Sequence, residues 1–116
     1  MEIQWSMYYM LNSENVRKYA PPSAGVYLLF AKPGCQTWMC YYVGQAESLG
    51  NRLQEHLSDI EPDSCVKQKI PASIFRFAEI EAKRDRNGVE RFLYDRFKPE
   101  CNKTVPGAAP VAVNLP

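Results

Sequence analysis

Residues Tyr41–Leu57 read YYVGQAESLGNRLQEHL, and the change of period inside this stretch decides the fold. The aromatic and β-branched run Tyr41-Tyr42-Val43 is a strand signal. It ends at Gly44, where the chain is free to turn and a ligand can approach the backbone. Leucines then recur every four residues, at Leu49, Leu53 and Leu57, which predicts a helix over residues 47–58 with one core face. Arg52 and His56 stand one turn apart beside that face. A strand end and a helix flank therefore aim several polar side chains at one point.

Upstream, Gly25–Ala31 (GVYLLFA) is apolar and β-prone, a strand with both faces mostly covered. The turn signal Lys32-Pro33-Gly34 leads to a second strand, Thr37–Val43, and the two predict an antiparallel hairpin. Before them, residues 13–19 (SENVRKY) predict a short helix with Ser13 as N-cap, stopped by Pro21 and Pro22. Residues 1–10, rich in aromatics and methionine, are expected as an edge element or lid.

Downstream, residues 73–80 (SIFRFAEI) predict a half-buried third strand with Phe75 and Phe77 on one face. Glu81–Phe97 predicts a helix with a weak point at Asn87-Gly88, ended by Pro99. Its inward stripe is Val89, Phe92, Leu93 and Arg96, with Glu90 on the margin. Residues 66–71 (VKQKIP) have no decisive pattern. The order β-β-α-β-α implies an α+β fold, a small three-stranded antiparallel sheet flanked by helices. One domain is expected over residues 1–103, including the short N-terminal extension, with 104–116 an extended or poorly ordered tail.

The 116 residues fit one domain, and such a chain buries roughly two-thirds of its unfolded surface without needing disulfides. A formal net charge of +1 excludes a strong overall field for nucleic acid. Locally, Lys83, Arg84, Arg86, Arg91, Arg96 and Lys98 outnumber Asp85, Glu90 and Asp95, so this segment either meets phosphate or forms a solvated face. No apolar run approaches the roughly 20 residues of a membrane span, and residues 1–10 lack the basic and apolar regions of a signal peptide. A cytoplasmic chain is expected, with Cys35, Cys40, Cys65 and Cys101 reduced. Cys35 and Cys40 enclose four residues, but a single histidine and no CxxC argue against structural zinc. A Cys35–Cys40 disulfide is not expected either.

Several residues invite chemistry. Tyr27, alone in a hydrocarbon strand, is either an amphipathic core aromatic or a phenol that exchanges a proton with a bound group. Tyr41 and Tyr42 alternate in a regular strand, so at most one joins Tyr27. Arg52 offers a fork for phosphate oxygens and His56 an acid or base. Two potential cations repel at this spacing, which an intervening anion would offset; the alternative is an exposed polar pair. Glu90 either pairs with Arg86 or Arg91 or binds a hard cation, Mg²⁺ or Mn²⁺, completed by substrate phosphate. Asn102 can hydrogen-bond phosphate or brace a loop. Together these residue types suggest phosphoryl transfer.

At this point the chain resembles the GIY-YIG nucleases. Gly25-Val26-Tyr27 is similar to the first family motif and Tyr42-Val43-Gly44 to the second, followed in order by Arg52, His56, Glu90 and Asn102. The resemblance covers roughly residues 23–103. It implies metal-dependent endonuclease activity on DNA phosphodiesters. Glu90 would hold the metal, Tyr27 would activate water directly or through a relay, and Tyr42 would position water or phosphate. Arg52 would stabilise the phosphate, His56 would move a proton, and Asn102 would support the metal side, with Gly25 and Gly44 as supporting positions. Gln45 stands where some relatives, including DNA-repair excision nucleases, have lysine, so the match to those enzymes is not close. The implied partner is DNA, in repair or a mobile element, with a homodimer or a targeting protein as further options and no membrane. Two other readings stay open: a catalytically weak or silent DNA-binding module, and a protein-interaction domain on the same fold.

Overall fold

The computed structural model describes residues 1–32, 34 and 37–116. Its elements are β1 (Tyr9–Met10), α1 (Ser13–Tyr19), β2 (Gly25–Ala31), β3 (Met39–Ala46), α2 (Leu49–Leu57), α3 (Ser64–Lys69), β4 (Ser73–Glu79) and α4 (Lys83–Phe97). A short 3₁₀ turn, Ile70–Ala72, joins α3 to β4. The turn signal at Lys32-Pro33-Gly34 and the Cys35–Cys40 spacing lie partly outside the described residues.

Among the described residues the sheet has four strands in the order β1-β4-β2-β3, all pairs antiparallel, which corrects the expected three. The extra strand comes from the aromatic N-terminal segment. The free side of β4 presents unpaired backbone groups, and the segment fills them. Tyr9 pairs with Phe75 and Met10 with Ile74, while Trp5 bridges Ala78. Stacking of Tyr9 on Tyr19, 4.0 Å between centroids, ties this edge to α1.

β2 is central and, as its apolar run predicts, buried on both faces. Tyr27 and Leu29 face a cluster completed by Val16 of α1, Leu49 and Leu53 of α2 and Val66 of α3. Val26, Leu28 and Phe30 face Val89 and Leu93 of α4. An irregularity in the β2–β3 register, Leu29 against Tyr42 and then Phe30 against Cys40, leaves Tyr41 opposite no residue of β2. A bulge of this kind breaks alternation, so Tyr41 and Tyr42 both pack on the Tyr27 cluster instead of taking opposite faces. Only Tyr42 lies against Tyr27; the Tyr41 hydroxyl bonds Ser73 Oγ at 2.7 Å.

Helix ends follow side-chain chemistry. Asn12, one residue before the expected Ser13, caps α1 by accepting from the Asn15 amide at 2.8 Å. Asp63 caps α3, a helix with no periodic signal of its own. α4 runs unbroken through Gly88, where a Cβ would strike Val111. The missing side chain lets the C-terminal segment lie on the helix, with the Val111 amide donating to the Gly88 carbonyl at 2.9 Å. Val113 is buried there, and Asn114 exchanges two hydrogen bonds with the Ile3 backbone, at 2.8 and 2.9 Å.

Cys65 and Cys101 form a disulfide, which overturns the expectation that all four thiols are reduced. The pair is 36 residues apart in sequence, and no local spacing announces it. Among the described residues no helix is long and apolar enough to cross a membrane.

Candidate active site

β3 is an edge strand, and the polar residues read from the sequence gather around the half that follows its bulge. Tyr27 reaches this edge because Gly44 lies opposite it and has no side chain. A Cβ at Gly44 would overlap the Tyr27 ring and hydroxyl. Gly25 plays a related role deeper in the fold, where a Cβ would strike the Ala78 carbonyl and Leu49 of α2. The two glycines thus set how closely β2, β3 and α2 approach.

The Tyr27 hydroxyl lies 2.8 Å from His56 Nε2. On the other side of the ring, His56 Nδ1 lies 3.0 Å from Glu61 Oε2. Tyr27, His56 and Glu61 are 0%, 1% and 7% exposed, so His56 is not the exposed member of a surface pair. Burial first, and Tyr42 next, raise the Tyr27 phenol well above its ordinary value, so it keeps its proton and donates. That assigns the imidazole as neutral, with Nε2 accepting from the Tyr27 hydroxyl and Nδ1 in contact with Glu61 Oε2 but off hydrogen-bond geometry. Burial, then the Arg52 guanidinium, push His56 down to about 3. The Asp63 carboxylate opposes this, but burial and Arg52 outweigh it.

Tyr42 and Arg52 form the solvent-facing side. The Tyr42 ring packs 6.0 Å from Tyr27 and 5.1 Å from His56. Burial raises its phenol while Arg52, by charge and hydrogen bond, works against the rise. The Arg52 side chain is 32% exposed and 4.0 Å from Glu61 Oε2, so one buried carboxylate anchors both α2 residues. Glu61 is a site residue that the sequence does not announce. It sits in the loop after α2, and a lone acid five residues beyond His56 carries no periodic signal.

Glu90 of α4 comes to the same strand from the opposite face of the sheet. Its charge raises both the Tyr27 and the Tyr42 phenols, which places it within electrostatic reach of both. Burial raises its own carboxyl, against the Gln45 hydrogen bond. Gln45 is held firmly: its Oε1 accepts from Arg86 Nε at 3.3 Å, and its Nε2 donates to Asn87 Oδ1 and, at 3.1 Å, to Glu90 Oε1. Arg86 is itself buried and fixed by the Ile80 and Glu81 carbonyls. Gln45 thus orients Glu90 without neutralising it, as a lysine would. A partly desolvated carboxylate among amide oxygens suits a hard divalent cation. Among the described residues no group of three or more His, Cys, Asp or Glu is gathered for a metal, so any such site has fewer than three of them.

Asn102 bonds to the backbone of Val43, between Tyr42 and Gly44. It lies along the free edge of β3, accepting from the Val43 amide at 3.0 Å and donating to the Val43 carbonyl at 2.8 Å. Together with the Cys101 amide on the Tyr41 carbonyl, it closes the edge as a short strand would.

No protein-family model matches the sequence, and no curated protein matches it. Solved structures do. The chain is similar to the GIY-YIG N-terminal endonuclease domain of UvrC from Thermotoga maritima bound to its catalytic divalent cation, magnesium. The TM-score is 0.58 and the identity 25%, over 77% of this chain and 97% of that one. A tyrosine-to-phenylalanine mutant of the same domain, also bound to its catalytic divalent cation, gives a TM-score of 0.59 at 24% identity, over 78% and 98%. An asparagine-to-alanine mutant gives 0.58 at 23%. The four-stranded sheet, its helices and the tyrosine-bearing edge thus have the fold of a small GIY-YIG domain.

Proposed function

We propose that this chain is a divalent-metal-dependent phosphodiester hydrolase acting on DNA, with its reaction centre at the Tyr42–Gln45 end of β3. The observation that carries this reading is the buried file Tyr27–His56–Glu61 standing behind the solvent-facing pair Tyr42 and Arg52. Helix stability does not require a histidine and an arginine one turn apart around a buried acid, whereas proton transfer next to a phosphate does.

In this reading Arg52 binds the phosphate. Its fork matches two oxygens and stabilises the charge that grows on them. Tyr27 is fully buried, so it acts through a relay. The water's proton passes to the Tyr42 oxygen, the Tyr42 proton to Tyr27, and the Tyr27 proton to His56 Nε2. Glu61, 3.0 Å from the other ring nitrogen, stabilises the imidazolium that results by charge. Arg52 is the second cause of the low basicity of His56; a phosphate neutralising Arg52 therefore makes the ring a better base when substrate arrives. Glu90, oriented by Gln45, would hold the cation. When bound, the cation supplies Lewis-acid stabilisation of the phosphate oxygens.

One observation favours a second reading, a DNA-binding module with weak or no catalysis. Among the described residues no group of three or more His, Cys, Asp or Glu stands ready for a metal, and Glu90 is already hydrogen-bonded to Gln45. That reading predicts salt-sensitive binding without cleavage. Duplex, single-stranded, flap and branched DNA incubated with Mg²⁺ or Mn²⁺ separate the two. Cleavage by the wild type that disappears in Glu90→Ala supports the hydrolase; binding without any cleavage above that variant on every substrate supports the module.

A further inference from the structure

A cleft of about 520 Å³ opens at the other end of β3, lined by Trp38, Phe97, Lys32, Lys69, Arg96 and Lys98. It is distinct from the residues placed in the reaction centre. Four cations face one carboxylate, Glu100, in a chain whose net charge is only +1. Among the described residues Glu100 pairs with Lys69, at 3.4 Å. Trp38 is 46% exposed, an uncommon position for the largest aromatic side chain unless its face has a partner.

The cleft lies in line with the reaction centre. Met39 at its mouth is three residues along β3 from Tyr42, about 10 Å at strand rise. Phe97 is seven residues along α4 from Glu90, again about 10 Å at helix rise. Two elements therefore give the same separation, and one extended polymer strand can span it.

We propose that this cleft binds a single-stranded nucleic-acid segment, with a base on Trp38 and phosphates on Lys32, Lys69, Arg96 and Lys98. The inference rests on the hydrolase reading and narrows its substrate class to nucleic acid with an unpaired arm beside the scissile phosphate. The bases of a blunt duplex are paired and stacked and have no free face for Trp38. An acidic peptide would satisfy the lysines but leave the indole without a ring to stack on. Base–aromatic stacking backed by cations is the usual means of holding a single strand without reading its sequence.

The test uses the full chain carrying Glu90→Gln, in chelator, so that nothing is cut. Labelled single-stranded DNA and RNA oligonucleotides and a blunt duplex of the same sequence are titrated at several salt concentrations. Trp38→Ala should weaken single-strand binding about tenfold and duplex binding by less than about threefold. Lys98→Gln should reduce the slope of log affinity against log salt by about 0.7. The chain has two tryptophans, Trp5 and Trp38, so quenching on single-strand binding should vanish in Trp38→Ala. Equal losses on duplex and single strand, no loss at all, or an acidic peptide competing as well as the oligonucleotide would overturn the proposal. Its fate is separable from that of the reaction centre. Cleavage lost in Glu90→Gln with Trp38→Ala silent removes the cleft alone. Trp38-dependent binding without cleavage in the wild type removes the hydrolase alone.

Discussion

His56 is the one histidine in the chain, so its ring can be followed by NMR without ambiguity. Its burial and the nearby Arg52 hold it at about 3, against about 6.5 in an unfolded chain. Between these values the unfolded chain carries the extra proton. Stability is therefore fully present above about pH 6.5 and falls as pH drops through the window, by up to about 1.4 kcal/mol per pH unit. Urea unfolding between pH 4 and 7 reads this directly. Inorganic phosphate should raise the ring's titration by occupying Arg52, and an unchanged His56 spectrum with phosphate would count against the relay. Glu61→Gln removes the charge that stabilises the imidazolium. It should lower the His56 titration further and slow cleavage by about 10²–10⁴-fold, the usual share of acid–base catalysis, with Glu61→Asp recovering some of it. Glu61 marks the limit of what single residues disclose. Tyr27, Tyr42, Arg52, His56 and Glu90 are visible as residue types in order, but a buried acid in an aperiodic loop is recognised only by what it touches.

The elements are legible where burial imposes a period. The apolar run of β2 follows from two covered faces and the leucine spacing of α2 from one, and both elements form; of the expected α4 stripe, Val89 and Leu93 are buried and Phe92 half-buried, but Arg96 is exposed. β1 is not legible as a strand: a two-residue pairing has too little length for alternation, and the unpaired side of β4 creates it. The bulge at Tyr41 is hidden because register is a property of two strands together. Gly44→Ala should expose how tightly β2 and β3 fit. The new methyl displaces the Tyr27 ring, costing about 1–3 kcal/mol as core overpacking does, seen as a lower urea midpoint with unchanged slope. The edge cover of β3 depends on Cys101 and Asn102, which the disulfide ties to α3. Closing a loop of 36 residues is worth about 3–4 kcal/mol in the chain-entropy account. Cys65→Ser should lower stability by that order, and reductant should do the same to wild type but leave the variant unchanged.

At the scale of the whole molecule, topology separates what the sequence shows from what it does not. The helices and inner strands are set by near neighbours in the chain; the disulfide, the β1 edge and the docking of the last residues join segments that composition treats as unrelated. The N- and C-terminal segments meet on one side. The Met1 amino group donates to the Ala112 carbonyl at 3.0 Å, and the Trp5 indole to the Asn114 carbonyl at 2.8 Å. Asn114→Ala, which removes both bonds to Ile3, should cost about 1–3 kcal/mol and loosen Trp5, read as a shift in its fluorescence. Residues 1–5 and 112–114 therefore lie side by side. A unit whose two end segments are neighbours should tolerate being spliced into a surface loop of a host protein through two short linkers, with the host fold intact.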